Sequence, residues 1–197
     1  MRLFNKAIFA VLAASSLLLT ACQTPSNTLT FTPQAPSTFT SGSQRAVTVN
    51  VMGKDMRSQP EISSYIRDNA LFKLSASPSV DALFQQVVQQ DLNSKGFHIG
   101  APSASNTNVI VNVRDFYAKV DQGNLRYKIS AKIQLEINVQ GGRGNFTKNL
   151  GATRTTEGAF TASNDEIKKV LDEVFKDTVT AIYADQEVAN AIRQYAN

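Results

Sequence analysis

From Leu125 to Val139 the chain alternates without a break. Leu125, Tyr127, Ile129, Ala131, Ile133, Leu135, Ile137 and Val139 are apolar, and Arg126, Lys128, Ser130, Lys132, Gln134, Glu136 and Asn138 between them are polar. Side chains of an extended strand point alternately to its two faces, so a run of period two this long predicts a strand with one face on a core and one in water. A strand covered on both faces would be apolar almost throughout, and a helix would repeat near 3.6 residues. The fold therefore contains a sheet wet on one side.

The flanking segments extend the pattern. "TNVIVNVRDFYAKV" (residues 107–120) reads as a second strand whose phase changes from Val109, Val111 and Val113 to Phe116, Ala118 and Val120, which predicts a bulge near Arg114 and Asp115. "DQGN" joins it to the long strand, "GGRG" makes the next turn, and "NFTKNLGATRTTEGAF" is a more polar strand suited to an edge. Earlier, "AVTVNVM" (46–52) and "LFKLSAS" (71–77) are strands, and "GKDMRSQPEISSYIRDN" between them, with Gly53 and Pro60, is mostly loop. Ser77 and Pro78 read as the start of a helix carrying Val80, Leu83, Phe84, Val87, Val88 and Leu92 on one face, stopped at Lys95 and Gly96. Ser163 and Glu166 predict a capping box ahead of a second amphipathic helix with Ile167, Val170, Leu171, Val174, Phe175 and Ile182 inward. A shorter helix with Val188, Ile192 and Tyr195 closes the chain. The expected architecture is α+β: a mainly antiparallel sheet with two amphipathic helices packed on one face, a two-layer sandwich.

The N-terminus carries an address. Arg2 and Lys6 precede an apolar stretch from Ala7 to Leu19, too short for the roughly 20 residues of a membrane span, followed by small residues. Residues 1–21 are thus expected to be a removed signal. Leu19, Thr20, Ala21 and Cys22 resemble the lipobox of bacterial lipoproteins, which implies acylation of Cys22, the only cysteine in the chain. Two or three acyl chains, at about 0.8 kcal/mol per buried CH2, make a permanent anchor. Gln23, where inner-membrane retention would favour Asp, implies by the same resemblance the periplasmic face of the outer membrane. Residues 22–44, uncharged from Gln23 to Gln44 and rich in Thr, Ser, Pro and Gln, read as a flexible tether, with "TLTFT" (28–32) open as a short strand. Residues 45–197 then form a single globular domain.

Without residues 1–21 the formal charge falls from +4 to +2 through loss of Arg2 and Lys6, with no clustered basic face, so nucleic acid is not an expected partner. Once Cys22 is acylated no thiol remains for a disulfide or for covalent chemistry. No triad, phosphate-loop, dinucleotide or metal-loop spacing occurs, so neither a metal nor another cofactor is expected, and no enzyme. His98, between Phe97 and Ile99, is expected on the surface without a partner nucleophile. Two polar groups remain: Asp55, Arg57, Arg67 and Asp68 early, and Arg126 with Tyr127 after the "QGN" turn. They are either ion pairs and turn residues or, through bidentate arginines, a site for a carboxylate or phosphate.

The lipobox, "DMR" (55–57), "IRDN" (66–69), "YAKVDQGNLRYKI" (117–129) and "EGAFTASN" (157–164) are together similar to the YajG family of proteobacterial lipoproteins. The resemblance covers most of the mature chain and carries no catalytic residue, only the acylated cysteine. The expected function is a non-enzymatic, membrane-anchored accessory or interaction module of the cell envelope with a protein partner. The alternative is a binding module for a small anionic or amphipathic ligand, such as a peptidoglycan fragment or lipid, in a pocket between helices and sheet with Arg57, Arg67 or Arg126 at its mouth.

Overall fold

The computed structural model describes residues 26–37, 47–67 and 69–196. Cys22 with its lipobox, and Asp68, lie outside the described residues. The strong alternation around Leu125–Val139 becomes the central strand of a three-strand meander: β6 (Thr107–Gln122), β7 (Arg126–Gly141) and β8 (Gly144–Ala159), each 16 residues long and antiparallel to its neighbour. The register sets Val109 against Val139 and Phe116 against Ile133, and slips between Val113 and Asp115, where the phase change predicts a bulge. β8 pairs only with β7, so it is the edge that its polarity suggests.

The other side of β6 is shared by two shorter strands. β2 (Thr48–Asp55) runs parallel along its first half, with Val49 opposite Thr107 and Asp55 opposite Val113. β3 (Ser63–Arg67) runs parallel along its second half, with Ser63 opposite Ala118. β4 (Ala70–Ser77) is antiparallel to β3, β1 (Thr28–Thr30) is parallel to β4, and β5 (His98–Ile99) is parallel to β2. The sheet is therefore largely antiparallel, as expected, with parallel pairs that make it mixed. Antiparallel pairing dominates in the long meander, where short turns suffice, and parallel pairing arises wherever a crossover returns to β6 or β4. β3 also corrects the expectation of a loop over residues 53–69. Its single polar-flanked apolar pair, Tyr65 and Ile66, is too short a pattern to read locally.

Among the described residues three α-helices pack on the strands, the two expected amphipathic ones and the shorter one that closes the chain. α1 (Val80–Ser94) lies on β2 and β6, α2 (Asn164–Ala184) on β6, β7 and β8, and α3 (Glu187–Tyr195) on β7 and β8. α1 begins two residues later than expected: Ser79 stands at the N-cap position with its carbonyl accepting from the Leu83 N–H at 2.9 Å and no side-chain capping bond, and the bond between Ser77 and Pro78 is cis. It ends at Lys95, ahead of Gly96 with φ 88°, a left-handed conformation suited to glycine. Gly53 permits the close seating of α1, since a Cβ there would fall 2.1 Å from the Asp81 carbonyl oxygen, and its N–H donates to Gln85 Oε1 at 2.9 Å.

Phe31, Phe84, Phe116 and Phe175 meet edge to face at the centre of the core, with centroids 5.2–6.1 Å apart. Phe31 and Leu29 are both buried, and the Phe31 N–H donates to the Ser77 carbonyl at 2.9 Å. Both belong to "TLTFT" (28–32), left open as a short strand within the stretch expected to be a tether, and β1 is that strand. The folded unit takes in residues 26–37 as well as residues 47–67 and 69–196, since Leu29 and Phe31 are buried in its core and β1 is paired with β4.

Candidate functional site

The polar residues singled out in the sequence go to separate places. Arg57 lies where β2 has left β6 and β3 has not yet joined it, opposite the bulge. All five of its guanidinium N–H groups find protein acceptors. Nε donates to Asp55 Oδ1 (2.9 Å), Nη1 to the carbonyls of Glu61 and Phe116 (3.2 Å each), and Nη2 to Asp55 Oδ2 (2.8 Å) and the Pro60 carbonyl (3.1 Å). The Phe116 carbonyl sits in the gap between the two parallel partners of β6, so the guanidinium supplies the donor that a strand would have supplied. Partial burial works against ionising Asp55, yet its bonds from Arg57 hold the carboxyl below its ordinary range.

Arg67 lies over the Phe72 ring at 4.7 Å, and Phe72 stacks on Tyr65. Arg126 is exposed at the start of β7 while Tyr127 beside it is buried, as alternation requires. His98 is exposed on β5.

Tyr127 opens onto a polar cluster that the sequence reading holds only in parts. Its hydroxyl donates to Glu166 Oε1, which pushes the phenol up to about 12. Glu166 Oε2 accepts from the Ser163 N–H at 2.9 Å, and Ser163 Oγ accepts from the Glu166 N–H at 3.3 Å, completing the expected capping box. Burial opposes charge on Glu166, but Tyr127 and Ser163 together hold its carboxyl below the usual range. Beside it, Tyr65 Oη donates to Asn164 Oδ1 at 2.5 Å and Asn164 Nδ2 donates to the Ser26 carbonyl at 3.3 Å. Gln122 acts as a third tie: Nε2 donates to the carbonyls of Gly123 and Phe160 (2.8 Å each), and Oε1 accepts from the Ala162 N–H at 3.1 Å. Gly158 makes room for Tyr127, since a Cβ there would meet the ring at 2.2 Å.

Three of the stretches that carry the family resemblance therefore converge at one end of the sheet: "IRDN" next to Tyr65, "QGNLRY" and "EGAFTASN". The signal that would have found the cluster is Tyr127 itself, an inward tyrosine whose hydroxyl needs a buried partner. "DMR" is elsewhere, at the β2–β3 junction.

Among the described residues, concavities large enough for a small molecule include the following pair. One, about 670 Å3, lies between residues 32–37 and the helices, with Phe175, Val179 and Tyr183 alongside Lys95, Lys176 and Arg193. The other, about 720 Å3, runs beside the bulge past Arg57, Arg114, Lys119 and Lys132. Arg67 and Arg126 line neither. In the second, Arg114 is paired with Glu136 at 2.9 Å and Lys132 lies 3.5 Å from Asp115. Glu136 also accepts from Asn112 (3.0 Å) and Asn138 (2.9 Å), and these bonds, with that from Arg114, hold it at about 2. Among the described residues no group of acidic, histidine or cysteine side chains is placed to hold a metal ion, and no helix is long and apolar enough to cross a membrane.

Known proteins give this arrangement a context. The uncharacterised lipoprotein YajG of Escherichia coli, in strain K12 and in strain O6:H1, is 32% identical over 195 residues, covering 98% of this chain and all of the relative. A crystal structure of protein XCC0632 from Xanthomonas campestris, 14% identical, shares the fold with a TM-score of 0.52 over 84% of this chain and 98% of its own. A family model described as uncharacterised lipoprotein matches residues 33–193. On that match and on the identity to YajG, the chain belongs to this lipoprotein family.

Proposed function

We propose that the protein is a non-enzymatic accessory module of the cell envelope, acylated on Cys22 and held by it at the periplasmic face of the outer membrane, where it meets a protein partner. The observation that carries this reading is the tetrad Leu19-Thr20-Ala21-Cys22 standing directly before a fold whose polar clusters are committed to themselves. Arg57, Tyr127, Glu166, Asn164 and Gln122 all bond to other groups of the chain, the pattern of structural ties rather than of a poised acid, base or nucleophile. A two-layer arrangement, helices on one side, leaves the polar side of β6, β7 and β8 for that partner. Mass spectrometry of the mature N-terminal peptide from membranes, with crosslinking in intact cells, tests it. A diacylglyceryl group on Cys22 and a reproducible crosslinked neighbour are expected. A Cys22→Ser protein that is still processed and membrane-bound contradicts the anchor.

The groove of about 670 Å3 favours a second reading, a module for a small amphipathic ligand, because it pairs an apolar floor at Phe175 and Val179 with cations at Lys176 and Arg193. Native mass spectrometry of protein extracted from membranes should then retain a bound small molecule, lost in Val179→Trp. An empty spectrum sets that reading aside.

A further inference from the structure

Five large apolar side chains are strongly exposed among the described residues: Met56 at 50%, Ile66 at 64%, Leu71 at 61%, Leu125 at 74% and Phe160 at 75%. Single exposed apolar residues are ordinary. Their grouping is not, and the strand directions show it. β3 runs parallel to β6, β4 antiparallel to β3, β7 antiparallel to β6, and β8 antiparallel to β7. The ends of β3, β6 and β8 and the starts of β4 and β7 therefore lie at one end of the sheet. Ile66 and Leu71 face each other across the β3–β4 pair there, Leu125 stands in the β6–β7 turn, and Phe160 follows β8 with its N–H donating to the Leu125 carbonyl at 2.9 Å. Only Met56 is elsewhere, bonded to Val113 in the middle of β6.

Phe160 is anomalous twice over. Its φ is 68°, a left-handed conformation that costs a side-chain-bearing residue about 1–2 kcal/mol and that glycine adopts freely. It also gains nothing by burial. Gln122 nonetheless grips its carbonyl and the next turn, so the aromatic ring is held outward on a rigid mount.

The chain also leads to the anchor from this end. β1 is parallel to β4, with Thr28 opposite Ser75, so its start points toward the β3–β4 tip, and Ser26 is tied to α2 at the same end through Asn164. From the level of Thr28 to Ala70 at the tip is about 17 Å at the rise of a strand. From Thr28 back to Cys22 a fully extended chain reaches at most about 21 Å. A cysteine whose acyl chains lie in the bilayer thus leaves almost no clearance between this end of the sheet and the lipid headgroups.

We infer that the end of the sheet formed by Ile66, Leu71, Leu125 and Phe160 is a membrane-contact surface that seats against the leaflet holding the Cys22 lipid, so that the domain stands on the membrane in one orientation instead of swinging from a tether. Exposed apolar side chains beside Arg126 and Lys128, whose long stems can lie along lipid while their charges stay in water, suit the interfacial zone. Charge does not decide it, because Asp121 and Glu157 stand close to those cations, Asp121 in a pair with Lys119 at 2.7 Å and Glu157 opposite Lys128. The apolar grouping and the reach of the chain do.

The inference rests on acylation of Cys22, and its test separates the two. Since acylation consumes the only native thiol, a nitroxide can be placed on Asn124→Cys or, at the far end, on Ser103→Cys in the full lipidated protein, reconstituted into phosphatidylethanolamine–phosphatidylglycerol vesicles. Mass spectrometry of the same sample reports the acylation. With Cys22 acylated, the label at 124 should collide with lipid-dissolved oxygen several-fold more often than the label at 103, and with an aqueous nickel chelate several-fold less. Adding Leu125→Ser and Phe160→Ser, both on exposed positions, should bring the 124 label to the values at 103 while the melting temperature is held. Equal collision rates at the two sites on acylated protein overturn the inference, as does a 124 label shielded from both reagents, which would mean a protein partner or second copy on that end. An unacylated Cys22 overturns the underlying reading instead.

Discussion

The β2–β3 junction and the anchor-side end of the sheet solve the same problem with opposite outcomes at the surface. At the junction, β6 is left with a carbonyl, that of Phe116, in a gap between two parallel neighbours, and Arg57 fills the gap. At the anchor-side end, the turn after β6, the segment after β8 and the start of α2 are tied by Gln122, Tyr127, Glu166 and Asn164. Arg57 in the first set and Tyr127 in the second are candidate binding residues in the sequence, and both are saturated by the protein's own groups. The junction keeps its guanidinium to 8% exposure. The end uses its ties to hold apolar side chains in water. Internal satisfaction of the polar groups makes the first a strut, and the same satisfaction makes the second a mount.

The largest effect should come from removing the strut. Arg57→Ala deprives three carbonyls and the Asp55 carboxylate of their donor in a mostly buried place, a loss on the order of 3 kcal/mol. Arg57→Lys should recover only part of it, because an ammonium does not reproduce the planar fork. Denaturant unfolding that moves by less than about 0.5 kcal/mol in Arg57→Ala would return Arg57 to the list of ligand-binding candidates. At the mount, Tyr127→Phe removes one bond to a carboxylate and should cost about 1–2 kcal/mol.

Beside the junction, a carboxylate held by the same kind of internal bonds makes stability depend on pH. Glu136, held at about 2 by Asn138, Arg114 and Asn112, has a folded pKa below its ordinary value of 4.5. Its contribution is fully present above the unfolded value and is lost as pH falls through the folded one, so stability should decline across the window from about 4.5 to about 2. Glu136→Gln should flatten that decline without altering the profile near neutrality, as followed by acid titration of fluorescence or circular dichroism. The smallest change has the opposite sign. Phe160→Gly relieves a left-handed backbone and loses no packing, so stability should hold or rise by up to about 1 kcal/mol. A protein stabilised at the position that membrane seating requires is what distinguishes a mount from a strut.

Much of this was legible because it is local. The alternation of β7, the bulge at Arg114 and Asp115, the Ser163–Glu166 capping box and the polar edge strand β8 each rest on spacings within one segment. What was not legible depends on partners far along the chain. Residues 63–67 contain too few apolar positions to announce a strand, and become one because β4 and the second half of β6 offer them partners. The mixed pairing of the sheet follows from where those strands dock, which periodicity does not encode. Phe31 lies in "TLTFT", whose alternation leaves a short strand open within a stretch whose composition says tether, and its burial depends on Phe116 and Phe175, supplied by β6 and α2. Arg57 in "DMR" reads as an ion-pair and turn residue or as a grip for an anion; the pair with Asp55 is found, while the gap it fills follows only from the register of β2 and β3.

Membrane seating requires residues 28–31 to belong to the folded unit, since that alone shortens the distance between lipid and domain. Amide hydrogen exchange of the lipidated protein measures it directly. The Phe31 amide, bonded to the Ser77 carbonyl at 2.9 Å, should be protected to the same order as the Ser75 amide, bonded to the Asn27 carbonyl at 2.8 Å. Exchange of Phe31 at the rate of an unstructured peptide, while β7 stays protected, would mean a long tether and a domain that is not seated on the membrane.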